Sequence, residues 1–231
     1  MAAAADLRFA LEELVAEFQA VHSGIDVTAT YGSSGNFFAQ LSNRAPYDVY
    51  LSADVEYPRR LAEAGLAVER SLREYAVGYI VLWAPADSAL NFAGQGIESL
   101  LAPQVRKIAV ANPQHAPYGR AAVAALQSRG IYEQVQDRLV FGENVAQALQ
   151  FVESGAADVG VIARARAESP PMPGRGKHWR GPAESYPPLR QGGVIMAGAQ
   201  DRDAAERFLD FVAGADGAAI LKRYGFGPPG E

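Results

Sequence analysis

Residues able to do nucleophilic, acid–base or metal chemistry are few in this chain. His22, His115 and His178 share no metal-ligand spacing and form no His-x-x-x-His pair. Cysteine is absent, which excludes disulfides, thiolate metal sites and a cysteine nucleophile. Gly32-Ser33-Ser34-Gly35 is one residue too short for the Gly-x-Ser-x-Gly elbow of a serine hydrolase. A hydrolase built on Ser33 or Ser34 would also need a base within reach, and no histidine is predictably near. The segment Gly32–Asn36 has a different physical use. It stands between an expected strand and an expected helix, where small residues let backbone amides approach a ligand. Those amides, the serine hydroxyls and the helix dipole together favour an anion. No lysine or arginine adjoins the turn and no Walker-type Gly-Lys-Ser/Thr is present. A plain N-cap would account for the turn equally well.

The pattern recurs along the chain. Asp6 opens a helix after an alanine run, Ala116-Pro117-Tyr118-Gly119 opens another, and Gly142-Glu143-Asn144-Val145 a fourth. Four helix starts, each after a strand or (at Asp6) the remnant of one, can converge on one cleft. They would hold an anion by neutral donors and dipoles, without a countercharge.

The elements that must position these turns alternate. Apolar residues at Leu7, Ala10, Leu11, Leu14, Val15 and Phe18 predict a helix with Asp6 as its N-cap. Strands are expected at Asp26–Tyr31, Asp48–Leu51, Tyr75–Ala84, Lys107–Ala111, Leu139–Phe141, Val159–Ala163 and Gly193–Ala197. Helices are expected at Asn36–Asn43, Val55–Ala64, Ile97–Leu101, Gly119–Ser128, Ile131–Gln136 and Asn144–Ser154, with Asp203–Ala213 the last long one. Such alternation indicates an α/β architecture with largely parallel sheets. The Pro/Gly-rich stretch Glu168–Arg190 reads as a solvated surface loop. Only Met1–Ala5 precede the first helix. The first strand is therefore very short, or the chain begins late.

Composition narrows the class further. The chain has 231 residues, 49% hydrophobic and 20% charged with a net charge of −5, which suits one large or two small domains and excludes disorder. No window approaches ~18 uninterrupted apolar residues, so no membrane span is expected. The acidic balance argues against a general nucleic-acid binder. Met1 is followed by alanines and then Asp6, with no basic region and no long apolar core, so no secretory signal is expected in the chain as written.

Six segments taken together carry a family resemblance. They are Ala3-Ala4-Ala5-Asp6-Leu7-Arg8, Tyr31-Gly32-Ser33-Ser34-Gly35-Asn36, Tyr47-Asp48-Val49-Tyr50-Leu51-Ser52-Ala53-Asp54, Pro113-Gln114-His115-Ala116-Pro117-Tyr118-Gly119, Glu143-Asn144-Val145 and Lys222-Arg223-Tyr224-Gly225-Phe226. In that order, over nearly the whole chain, they resemble the periplasmic molybdate-binding proteins, the substrate-binding subunits of molybdate ABC transporters. The resemblance implies a class II periplasmic-binding-protein fold of two α/β lobes with a ligand cleft between them. Residues 1–79 with 190–231 would form one lobe, its first strand apparently truncated, and 80–189 the other. The hinges would lie in Tyr75–Ala84 and Tyr186–Gly192.

The same resemblance implies a non-enzymatic receptor for molybdate or tungstate, needing no cofactor and delivering its ligand to a membrane permease. It further implies a monomer with a periplasmic location and no nucleic-acid partner. Another small tetrahedral oxyanion (sulfate, phosphate or phosphite) is the alternative ligand. The oxyanion-binding positions would be Ala5, Asp6, Ser34, Tyr118 and Val145, as donors to the ligand oxygens and not as direct metal ligands. Two departures from the family's commonest pattern matter: Asp6 stands where serine is usual, and Ala163 where a tyrosine follows the strand. Tyr118 then supplies the phenolic donor that Ala163 lacks. A carboxylate ~4 Å from a dianion would cost about 4 kcal/mol per unit of ligand charge at an effective dielectric of about 20. The backbone amides of Ala5 and Asp6 are therefore expected to face the anion while the Asp6 side chain caps the helix. The competing expectation is that Asp6 lowers affinity or selects a protonated anion.

Overall fold

Strands linked by amphipathic helices build two five-stranded sheets in the computed structural model, which describes residues 1–230. In chain order the elements are β1 (Ala2–Ala4), α1 (Arg8–Val21), β2 (Thr30–Gly32), α2 (Ser34–Ser42), β3 (Val49–Ser52), α3 (Glu56–Glu63), β4 (Arg73–Gly78), β5 (Ile80–Pro85), α4 (Phe92–Gln95), β6 (Ile108–Ala111), α5 (Pro117–Ser128), α6 (Tyr132–Val135), β7 (Leu139–Gly142), α7 (Val145–Glu153), β8 (Val159–Ala163), α8 (Arg164–Ala167), β9 (Gly176–Arg180), β10 (Leu189–Ile195), α9 (Arg202–Ala213) and α10 (Ala215–Arg223). The chain forms two units, Met1–Gly78 with the residues from Leu189 on, and Tyr79–Pro188.

The first unit holds the sheet β2-β1-β3-β10-β4 and the second β7-β6-β8-β5-β9. Both follow one scheme. Three parallel strands are followed by a strand antiparallel to both of its neighbours. In the first unit Leu11, Leu14 and Phe18 of α1 turn inward, and the Phe18 ring meets Phe208 of α9 edge-on at 5.1 Å. Burying a side chain of that size contributes about 1.5–3 kcal/mol. In the second unit β6 is wholly buried under α5 and α7, through Ala122 and Leu126 on one and Ala148 and Leu149 on the other.

Several elements differ from the sequence reading, and one settles an alternative that it left open. The first strand is present and very short: Ala2–Ala4 pair with β2 on one side and β3 on the other, buried throughout. Their small side chains suit a central strand covered on both faces. The ladder expected over Asp26–Tyr31 is confined to Thr30–Gly32, because β1 offers three partner residues. The single strand expected at Tyr75–Ala84 is two strands, β4 and β5, one in each sheet. Both halves are apolar and buried, so periodicity does not show the break at Tyr79. The Glu168–Arg190 loop contains an ordered edge strand, β9, paired with β5 from Val81↔Arg180 to Pro85↔Gly176. Gly176 is required there, since a Cβ would lie 2.2 Å from the Trp83 ring. The closing helix α10 was not expected.

Charge also fixes β9. Glu168, just after α8, accepts from Arg164 Nε at 3.0 Å, pairs with Arg180, and has His178 Nε2 at 3.3 Å. Burial works to raise the Glu168 carboxyl, but the hydrogen bonds and charges of Arg164 and Arg180 hold it below its ordinary value. A lowered carboxyl stabilises the fold above its unfolded value and loses that contribution as pH falls through the folded value. The β9 tie should therefore be intact at neutral pH and released only as pH falls through the lowered folded value, below the ordinary carboxylate range. Hydrogen exchange, corrected for intrinsic rates, is expected to show β9 amides losing protection in that range first. Glu168→Gln should lower their protection at pH 7 and remove the acid step.

Candidate functional site

In the first unit the chain passes from β1 to β2 on one side and then crosses to β3 on the other. The carboxyl ends of β1 and β3 thus flank a reversal of strand order, where open α/β sheets form a crevice. Ala5 and Asp6 follow β1 in a 3-10 turn, Ser33 and Ser34 follow β2, and Ala53 and Asp54 follow β3. Hydrogen bonds lock these loops together. Ser34 Oγ accepts the Ala53 amide at 3.0 Å, and Tyr50 Oη donates to the Ser34 carbonyl at 2.7 Å. Ser52 Oγ accepts from Asp54 N at 3.1 Å and donates to Asp54 O at 2.7 Å. Capping of α2 falls to Ser33, whose Oγ accepts from Asn36 N at 3.3 Å. Ser34 is 1% exposed and its oxygen already accepts an amide, so what it has left to give is its hydroxyl proton.

Asp6 is not the N-cap that the sequence suggested. The 3-10 turn Ala5–Leu7 intervenes, so that α1 begins at Arg8 with Leu7 at its N-cap position and no side-chain cap. The carboxylate is buried, 2% exposed, and Oδ2 accepts from Gln191 Nε2 of β10 at 3.1 Å. Arg8 is an exposed helix residue, 3.3 Å from Glu12 and 5.7 Å from the centre of the Tyr31 ring.

The second unit repeats the arrangement. Asn112 N–H donates to Gly142 O at 2.8 Å, which ties the loop after β6 to the end of β7. Pro117 opens α5 and Tyr118 follows it, buried. Gly119 lets this helix start press onto the strand: a Cβ there would stand 2.1 Å from Ala111 O. Asn144 caps α7, its Oδ1 accepting from Ala146 N at 2.9 Å and Gln147 N at 3.1 Å. Its carbonyl takes the Ala148 amide at 3.1 Å. Of the amides opening α7, that of Val145 is the one these bonds leave for a ligand. Ala163 ends β8 fully buried, with no polar atom on its side chain.

Each unit therefore gathers helix starts and loops at the carboxyl ends of its parallel strands: Ala5, Asp6 and Ser34 in the first, Tyr118 and Val145 in the second. Two histidines lie elsewhere, His22 stacked on Phe18 at 4.3 Å and His178 against Glu168. Among the described residues no group of three or more histidines, aspartates and glutamates is placed to hold a metal ion. Residues 1–227 match the family described as bacterial extracellular solute-binding protein. The chain belongs to that family.

Among its relatives, molybdate-binding protein ModA of Azotobacter vinelandii is 33% identical over 227 residues, covering 98% of this chain and 88% of that one. Molybdate-binding protein ModA of Rhodobacter capsulatus is 34% identical over 204 residues, covering 88% and 78%. The solved periplasmic molybdate-binding protein of A. vinelandii superposes with a TM-score of 0.91 at 35% identity, over 99% of this chain and 98% of that one. Members of the family bind solutes and are not enzymes.

Sequence reasoning missed the layer beneath the turns that follow β1, β2 and β3. Tyr50, Tyr75 and Gln191 are buried on strands, and Gln191 is wholly inaccessible. The alternation of Gln191 with Leu189 about the exposed Arg190 was the available signal, since it sets an amide on a strand's buried face, where it requires partners. Asn144→Ala should cost this solute-binding protein about 1 kcal/mol through loss of the α7 cap, read as a lower ligand-free unfolding midpoint.

Proposed function

We propose that this solute-binding protein is the receptor subunit of an ABC transporter, taking up molybdate or tungstate and delivering it to a membrane permease. The observation that carries the reading is the likeness over essentially the whole chain to a molybdate-binding protein of known structure. On this reading the protein works in the periplasm as a monomer, and its oxoanion donors lie at helix starts and loops after parallel strands. The donors are the Ala5 and Asp6 amides, the Ser34 hydroxyl, the Tyr118 phenol in place of the tyrosine that Ala163 replaces, and the Val145 amide.

Supporting it, these are neutral N–H and O–H groups at helix starts, which suit a fully ionised oxoanion without a countercharge. Selectivity then comes from fit. Sulfate, molybdate and tungstate share shape and charge, and a donor left short of the smaller sulfate would cost about 1–3 kcal/mol.

Molybdate and tungstate are expected to raise the unfolding midpoint by mass action, equivalent to about 2.7 kcal/mol at a hundred times Kd. Sulfate, phosphate and phosphite at the same concentration should do far less. Removing one hydrogen bond to a charged ligand costs about 1.5–3 kcal/mol, so Ser34→Ala and Tyr118→Phe should each weaken molybdate binding roughly ten- to hundredfold by titration calorimetry. Equal shifts with sulfate, or a preference for phosphite, would replace molybdate with the alternative oxyanion.

A further inference from the structure

The carboxylate of Asp6 is at odds with an oxyanion site, and the strands behind it resolve the conflict. Gln191 Nε2 donates to Asp6 Oδ2 at 3.1 Å, while Gln191 Oε1 lies 3.3 Å from Tyr75 Oη, the donor. The phenol is also 3.2 Å from Ser52 O. All three side chains are at most 2% exposed. The amide has one acceptable orientation, because the reverse would set its oxygen against the carboxylate. Burial first, then the charge of Asp6 and the nearby Tyr50, raises the Tyr75 hydroxyl far above the ordinary phenol range, so it remains a donor. The backbone is shaped for this contact. Gln191 pairs with Ala76 and Gly192 with Glu74, so Tyr75 is the extra residue of a bulge in β4. A bulge of this kind re-aims a side chain.

We propose that Gln191 and Tyr75 are positioning residues of the oxyanion site, turning the Asp6 carboxylate toward β10 so that the amides of its turn, and not its charge, meet the anion. The inference rests on the oxyanion reading above. It explains how an acid occupies a position where the ligand is negative. Gln191 supplies the hydrogen bond that a buried carboxylate needs, and Tyr75 keeps Gln191 from rotating away.

The test compares molybdate titrations of the wild type, Gln191→Glu, Tyr75→Phe, Asp6→Asn and the double variant Asp6→Asn/Gln191→Glu, with ligand-free melting of each to establish folding. Gln191→Glu sets acid against acid and is expected to weaken binding at least tenfold. In the double variant donor and acceptor exchange places: the amide introduced at position 6 donates to the carboxylate introduced at position 191, and Tyr75 still donates to that carboxylate. Most of the lost affinity should return, which a merely structural defect would not allow. Tyr75→Phe removes a single oxygen and is expected to weaken binding three- to tenfold; it carries the test if Gln191→Glu does not fold.

Binding within twofold of wild type in Gln191→Glu and Tyr75→Phe overturns the proposal, as does a double variant no better than Gln191→Glu. Asp6→Asn strengthening molybdate binding more than tenfold also overturns it, because the carboxylate would then face the anion. A wild type that binds none of molybdate, tungstate, sulfate, phosphate and phosphite rejects the oxyanion reading itself, which separates that failure from failure of the positioning role alone.

Discussion

The hydrogen bond from the Ala53 amide to Ser34 Oγ sets the character of the turns after β2 and β3 in the first unit. A hydroxyl that is already an acceptor presents its proton to whatever comes next. The same bond joins the loop after β3 to the helix start after β2, while Tyr50 fixes the Ser34 carbonyl from beneath. A donor held in this way loses little freedom when a ligand arrives, and preorganisation of that kind is what separates anions that differ only in size. In the second unit the corresponding constraint is the Asn144 cap. It takes the amides of Ala146 and Gln147 and thereby singles out that of Val145.

How much of this was legible depended on whether the signal was local. The helix stripe from Leu7 to Phe18, the capping turns at Ser33 and Asn144 and the small-residue helix starts are written in adjacent residues, and the α/β class followed from them. The break at Tyr79 was invisible, because Tyr75–Gly78 and Ile80–Ala84 are both buried runs without a charged residue and each is satisfied by a different sheet. The strand β9 was hidden by the prolines and glycines around it. Its pairing depends on β5, some ninety residues earlier in the chain, and its glycine on the Trp83 ring. Asp6 was misread for the opposite reason: a good local N-cap signal was overridden by a 3-10 turn that begins one residue before it. Tertiary context, a buried glutamine arriving from the far end of the sequence, decided where that carboxylate points.

The repeated sheet order in the two units gives the candidate turns a common origin in topology. In each, three parallel strands place their carboxyl ends and the following helix starts together, and the next strand in the sheet runs back antiparallel to close off the arrangement. Neutral donors suffice at such a place because helix N-termini already carry partial positive charge. The strands that carry the chain from one unit to the other, β4 ending at Gly78 and β10 beginning at Leu189, are paired at that point through Leu189↔Gly78. Within the second unit the Ile80 amide donates to Tyr186 Oη at 3.2 Å. Tyr75 lies on one of these strands and Gln191 on the other. The side chains that orient Asp6 are therefore built into the segments through which the chain changes units, and a displacement of either strand would be felt at the opening turn through two hydrogen bonds.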